Sequence, residues 1–426
     1  MPKSTVNVDV LVVGAGMAGF VAATAAAREK CDVMIVERGF MPGGQATAAL
    51  ISEMYGYTFR GERIYGGIEE ELVGRLIGVG AARHVYDAGL VPFPAMRVDR
   101  LRYNPEVLKV ILDWFAVNSS YKAVGGCELL HVEERGDRVR VILQGGPEKF
   151  EVLAKCVIDA TGHAEVVRAA GHATVAASSP DEHEASSLLF RLSGADTKRV
   201  EDFIGRNRTS EIAVRGHKEG ILPGKYLSIV PIPGTGDVAV NATRTFVDPE
   251  SPIDITEGTI HARSQMVQII PFLKENVPGL EHAGLAAVAP MIGIREARRI
   301  DGRSRITEAD IVNLRRYPDE VAYGCAPMGF HETVDEEVVW KNVLGIYRIP
   351  YSAMLPRESD RILAAGKDIS CDGMALTTLR CIPVVMNTGE VAGCAAALAV
   401  KEETTPGELD PQKLRAFLRG KGLILE

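Results

Sequence analysis

Gly14, Gly16 and Gly19 stand in the pattern G-x-G-x-x-G, and Glu37 closes the next apolar run. Glycines at that spacing let a backbone loop approach a pyrophosphate. Gly14 allows a tight turn, Gly16 removes a side chain from the approach, and Gly19 lets a helix pack closely on a strand. A carboxylate at Glu37 can accept hydrogen bonds from both hydroxyls of a ribose and would repel a 2′-phosphate. A second group of chemistry-bearing residues is Arg295, Arg298 and Arg299 in GIREARRI. On a strand or irregular segment, Arg295 and Arg299 share a face; on a helix all three do. Clustered guanidiniums could clamp a carboxylate through paired N–H donors. They could equally pair with Glu296, Asp301 and other nearby acids. Within the cluster, Arg295 is the first choice for a substrate contact.

The elements around the glycines fit a dinucleotide site. LVVGAG reads as a buried, Val-rich parallel strand, Met17–Lys30 as an Ala-rich helix, and DVMIV (Asp32–Val36) as the next strand. The free N–H groups and positive end of that helix would face the phosphates. NPEVLKVILDWFAVNS (Asn104–Ser119) predicts a helix with Pro in its first turn. CELLHVEE, RVRVILQ and FEVLAKCVIDA read as three strands separated by GDR and GGPE turns. KYLSIVPIPG and DVAVNATRTF predict strands around a turn at Gly234–Gly236. Thr256–Val277 reads as a helix with an internal proline, and PQKLRAFLRG as a C-terminal helix.

Composition narrows the class. The 426 residues are 46% hydrophobic and 24% charged, an ordinary globular balance, and too long for a single small core. A net charge of −8 with no basic stripe argues against a nucleic-acid partner. Seven scattered cysteines without a CxxC pair fit reduced thiols in a cytoplasmic protein and no metal site. Cys371, Cys381 and Cys394 read as small core residues rather than a redox pair. No signal peptide is evident, and the longest apolar runs, such as Gly284–Ile294, fall short of the roughly 20 residues that span a bilayer.

Three further segments carry a resemblance. GFMPGGQATAA places Gly43–Gly44 just after the ribose acid, AKCVIDATGHAEVVRAAG contains Ala160-Thr161-Gly162, and DRILAAGKDIS leads toward a helix expected to begin near Thr388-Gly389. With IGIREARRIDGRSRIT and IPYSAMLP (Ile349–Pro356), these segments resemble the FAD-dependent oxidoreductases with a glutathione-reductase-type FAD domain, over nearly the whole chain. The resemblance implies an α/β fold: a Rossmann-like FAD-binding domain with a parallel sheet and three-stranded β excursion, and an inserted α+β substrate domain. It implies FAD contacts from Gly14, Ala15, Gly16, Met17, Ala18 and Gly19, then Glu37 and Arg38, then Gly43, Gly44, Gln45 and Ala46. Ala160, Thr161, Gly162, Gly366, Asp368, Thr388 and Gly389 complete that set, Asp368 as a ribityl contact. The family has Gly–Arg or Gly–Asp where this chain has Gly366-Lys367-Asp368, and often Asp where it has His163.

The expected organisation is residues 1–171 as the first part of the FAD domain, 172–350 as substrate domain, 351–400 as the closing part and 401–426 as a C-terminal helix. Expected catalytic residues are His331 as acid/base, Arg295, Tyr351 and Arg380. His331 could instead be structural, and Tyr351 a core aromatic with a satisfied hydroxyl. A single dinucleotide fingerprint points to a dehydrogenase or oxidase that transfers a hydride between a small polar substrate and the flavin. The electron acceptor is external, and the chain could form a homodimer. The alternatives are a flavin monooxygenase, a non-redox dinucleotide-using enzyme and an FAD-binding scaffold.

Overall fold

A computed structural model describes residues 2, 4–89, 97–177, 184–206, 208–331, 338–341 and 343–426. Its centre is a seven-stranded sheet. Strand Thr5–Val13 pairs in parallel with Val33–Val36 on one side and with Glu148–Asp159 on the other. The first part of Glu148–Asp159 also pairs with the antiparallel strand Arg138–Gly145, which pairs in turn with Cys127–Arg135. Its last three residues pair in parallel with Ile362–Ala364. The α/β fold and the three-stranded excursion expected from the sequence are therefore present.

Register places the site. Val13 stands opposite both Val36 and Asp159, and Asp159 opposite Ala364. Four parallel strands thus end in line, and the loops that follow them leave from one edge of the sheet. Those loops carry Gly14–Gly16, Glu37, Thr161–Gly162 and Gly366–Lys367. Ligands of open α/β sheets bind at this edge, outside the carboxyl ends of the strands.

Helix Met17–Arg28 packs against both this sheet and helix Ile382–Lys401. Its Ala-rich sequence permits close contact. A Cβ on Gly389 would lie 2.3 Å from the Ala18 carbonyl oxygen, and one on Gly393 would lie 2.2 Å from that of Ala22. The closing helix starts at Ile382 with Pro383 in its first turn, not near Thr388-Gly389 as expected. Proline suits a first turn because it lacks an N–H that would go unbonded there. The glycines inside the helix serve helix contact rather than a break. This helix is also a 20-residue segment apolar enough to cross a membrane by length and composition, longer than the apolar runs noted in the sequence; 89% of its apolar window is buried inside the molecule.

A second core gathers Leu188 to Ile294 around the sheet formed by Phe190–Ser193, Ser228–Pro231, Val238–Asn241 and Gly284–Val288. Helix Pro252–Asn276 covers it, with Pro271 inside. The substrate domain expected from the sequence extends to residue 350. Ile306, Ile311, Val321, Tyr347 and Ile349 instead pack into the first core, with the helices of the nucleotide-binding half. Helix Pro105–Ser119 is capped by Asn104, which accepts the Glu106 N–H at 3.0 Å.

Candidate active site

Two cavities meet at the sheet edge. The larger, about 470 Å³, runs along the glycine loops; the smaller, about 230 Å³, opens toward the second core. Gln45, Ile51, Lys367, Arg380 and Ile382 line both, so the cavities join there.

The larger cavity fits a dinucleotide. Gly14 (φ +99°) makes the turn, and a Cβ there would lie 2.4 Å from the Ala160 carbonyl oxygen. Gly16 leaves open space, with no atom within 4 Å of where a Cβ would stand. It precedes helix Met17–Arg28 without a side-chain cap, so the first-turn N–H groups are left for an anion. Gly43 donates its N–H to the Ala15 carbonyl at 2.8 Å, which ties the second glycine pair to the first loop. Glu37 accepts the Ala15 N–H at 2.7 Å and the Gly39 N–H at 3.0 Å, and faces the cavity. Arg38 bonds Glu165 across the rim at 2.7 Å.

Most of the expected cofactor residues line this cavity: Gly14, Gly16, Met17, Ala18, Glu37, Arg38, Gly43, Gly44, Gln45, Ala46, Ala160, Thr161, Gly162 and Gly366. Five do not. Ala15 contributes its backbone to Glu37, and Gly19 packs against Gly14. Gly389 packs against Ala18. Thr388 accepts the Gly366 N–H through its hydroxyl at 3.1 Å from behind the loop. Asp368 is fully buried, and its two carboxylate oxygens accept the Gly162 and Ala164 N–H groups at 2.8 and 3.0 Å. Asp368 shapes the Thr161–Ala164 turn instead of reaching the cavity. Burial, then the neighbouring Asp159, raises its carboxyl well above the usual range.

The smaller cavity gathers three of the four expected catalytic residues. His331 ends strand Met328–His331, with its ring edge-on to Tyr226 at 5.1 Å. Burial, then the Arg295, Arg380 and Arg244 charges, lowers its pKa well below the usual value. Both effects favour the neutral imidazole. Arg295 donates to the Ala185 carbonyl and, at 3.0 Å, to the Ser187 hydroxyl. Burial and the Arg380 charge push its guanidinium down to about 10. Its neighbours in the cluster are engaged elsewhere. Arg298 pairs with Glu250 at 2.7 Å, and buried Arg299 with buried Glu296 at 3.0 Å. Arg380 forms a two-pronged pair with Glu184, which also accepts the His331 backbone N–H at 3.2 Å. Tyr351 lies away from both cavities and donates its hydroxyl to the Pro406 carbonyl at 2.8 Å, as a core aromatic would. The Cys381 thiol lines the cavity, and burial pushes it up to about 11, far from a reactive thiolate.

Glu184 and Lys367 belong to the site, and neither stands out in the sequence. Glu184 sits in DEHEASS, a stretch with no periodicity to mark a buried acid. Lys367 lies between Gly366 and Asp368, in a segment where the family pattern draws attention to the acid. Its amine donates to the Ile294 carbonyl at 3.2 Å, and burial pushes it down to about 8. His163 lines the larger cavity, where burial and the Lys367 charge push it down to about 3.

A model of the family described as FAD dependent oxidoreductase matches residues 9–418. The chain belongs to this family. It is therefore a flavoenzyme whose cofactor is FAD. No curated protein matches it. Solved structures with the same fold include a geranylgeranyl bacteriochlorophyll reductase-like protein from Thermoplasma acidophilum. That structure is 14% identical, with TM-score 0.53, covering 98% of this chain and 84% of that one. The p-nitrophenol 4-monooxygenase PnpA from Pseudomonas putida is 12% identical, with TM-score 0.51, covering 97% and 84%. A flavin-dependent brominase is 12% identical, with TM-score 0.50, covering 97% and 83%. At these identities the likeness is one of fold. In this flavoenzyme the residues expected to contact FAD gather along the larger cavity, which joins the smaller one.

Proposed function

We propose that the enzyme is a dehydrogenase or oxidase. It would take hydrogen from a small carboxylate-bearing substrate at a carbon next to a hydroxyl or amine. The observation that carries this reading is Arg295. It is half-buried beside the smaller cavity, and among the described residues no carboxylate pairs with it. The nearby acid, Glu184, is engaged by Arg380. A half-buried cation without a counter-charge is costly, and a substrate carboxylate would supply the missing one. Two further groups facing the same cavity are buried without a partner among the described residues: the Asn241 side-chain oxygen and the Trp340 indole N–H. The first suits a donor such as a substrate hydroxyl or amine, the second an acceptor oxygen.

FAD, when bound, supplies the two-electron acceptor. Arg295 orients the substrate by its carboxylate. Neutral His331 accepts the hydroxyl or amine proton at a ring nitrogen. The arginines make His331 a weak base in the free enzyme. A bound carboxylate offsets one of those charges, so the imidazole gains basicity when substrate is in place. Glu184 keeps Arg380 and the His331 backbone in position.

The test is an anaerobic screen of the FAD-loaded enzyme, following loss of its visible absorbance. 2-Hydroxy and 2-amino acids should bleach it, while the matching alcohols and amines without a carboxylate should not. Equal bleaching by the carboxylate-free compounds would overturn the reading.

A further inference from the structure

We propose that Lys367 is the charged group that stabilises reduced, anionic FAD in this enzyme and so sets the cofactor's redox poise. Placement comes first. The reacting end of the cofactor must meet substrate where the two cavities join, and among the described residues only five line both. Two of these are cations, Arg380 and Lys367. The Arg380 charge is closed by its pair with Glu184, a side chain 1% exposed. The Lys367 charge is not closed in that way. The adjacent acid, Asp368, turns its carboxylate to the Gly162 and Ala164 N–H groups on the other side of the loop. Among the described residues the amine has one acceptor, the Ile294 carbonyl, which also takes the Gln45 amide at 2.8 Å. An ammonium carries three N–H bonds, so donors remain for the cavity.

The chemistry follows from charge. Two electrons and one proton convert the neutral flavin ring to an anion with its charge near N1 and O2. In the test the electrons come from a chemical reductant. A fixed cation at a desolvated junction favours the anion over the neutral form, because the interaction is weakly screened there. Burial lowers the Lys367 pKa to about 8 against the opposing pull of Asp368, and an anion at the junction would raise it again.

The test compares FAD-loaded parent enzyme with Lys367→Arg and Lys367→Met. Two readouts are used: the reduction potential, by equilibration with a dye of known potential, and the affinity for sulfite. Sulfite adds to oxidised flavin and leaves its negative charge on the ring system, so it reports the same field without turnover. Lys367→Met should keep FAD, show a lower potential and bind sulfite about tenfold more weakly, the factor carried by about 1.4 kcal/mol. Lys367→Arg should stay near the parent. Unchanged potential and sulfite affinity in a fully loaded Lys367→Met enzyme would overturn the proposal. So would a Lys367→Met enzyme that loses FAD while Lys367→Arg retains it, since the amine would then serve the diphosphate and not the ring.

Discussion

At the scale of single residues, the smaller cavity is shaped by the arginines around His331. Arg295, Arg380 and Arg244 all act on His331, and Glu184 pairs with Arg380. Burial does most to lower the His331 pKa, and the arginines add to it. Both favour the neutral ring, so removing a guanidinium raises the imidazole pKa toward 6.5. Titration of the His331 ring protons by NMR, assigned with a His331→Gln variant, should show no midpoint near 6.5 in the free parent enzyme. Arg295→Gln should move the midpoint upward. A midpoint near 6.5 in the parent would contradict this electrostatic picture. If the imidazole is the base, His331→Gln should also lower kcat by about 10²-fold or more.

At the scale of elements, the readable parts of the sequence are those with a period or a fixed spacing. The opening strand, glycine loop, Ala-rich helix and acid all lie where the spacing puts them, because each obeys a local rule. The start of the last helix does not follow from the glycines at Gly389 and Gly393, because a glycine in a packed helix also serves a neighbour's backbone. The roles of Tyr351 and Asp368 are hidden for a related reason: their partners, Pro406 and the Gly162–Ala164 turn, are distant in sequence. Glu69 is another buried group that no pattern marks. It lies on helix Gly67–Gly78, fully buried, with neither carboxylate oxygen bonded among the described residues and Glu390 close by. Burial, then Glu390, raises its pKa well above 4.5, and burial likewise raises Glu390 to about 7. The unfolded chain releases these protons above about pH 4.5, while the folded state holds them. The contribution of these two groups to stability should therefore fall as pH rises from about 4.5 toward neutrality. Glu69→Gln removes one such group, so in urea unfolding it should exceed the parent by more at about pH 8 than at about pH 4.5. An equal difference at both pH values would contradict the assignment.

At the scale of the whole molecule, one sheet edge organises function. Four strands ending in register deliver the cofactor loops side by side. The second core then places Ser187, Asn241 and Arg295 against the same edge. The Ile294 carbonyl takes hydrogen bonds from both Gln45 and Lys367, so the segment carrying Arg295 is tied to two cofactor loops at once. Under the proposed function, this junction would couple orientation of substrate to binding of FAD. The most direct measurement is a titration of the FAD-loaded enzyme with a small carboxylate that has no oxidisable C–H bond, such as benzoate, following the visible flavin bands. A saturable spectral change that is lost in Arg295→Met is the predicted result. The same change, with the same affinity, in Arg295→Met would contradict the assignment of the site.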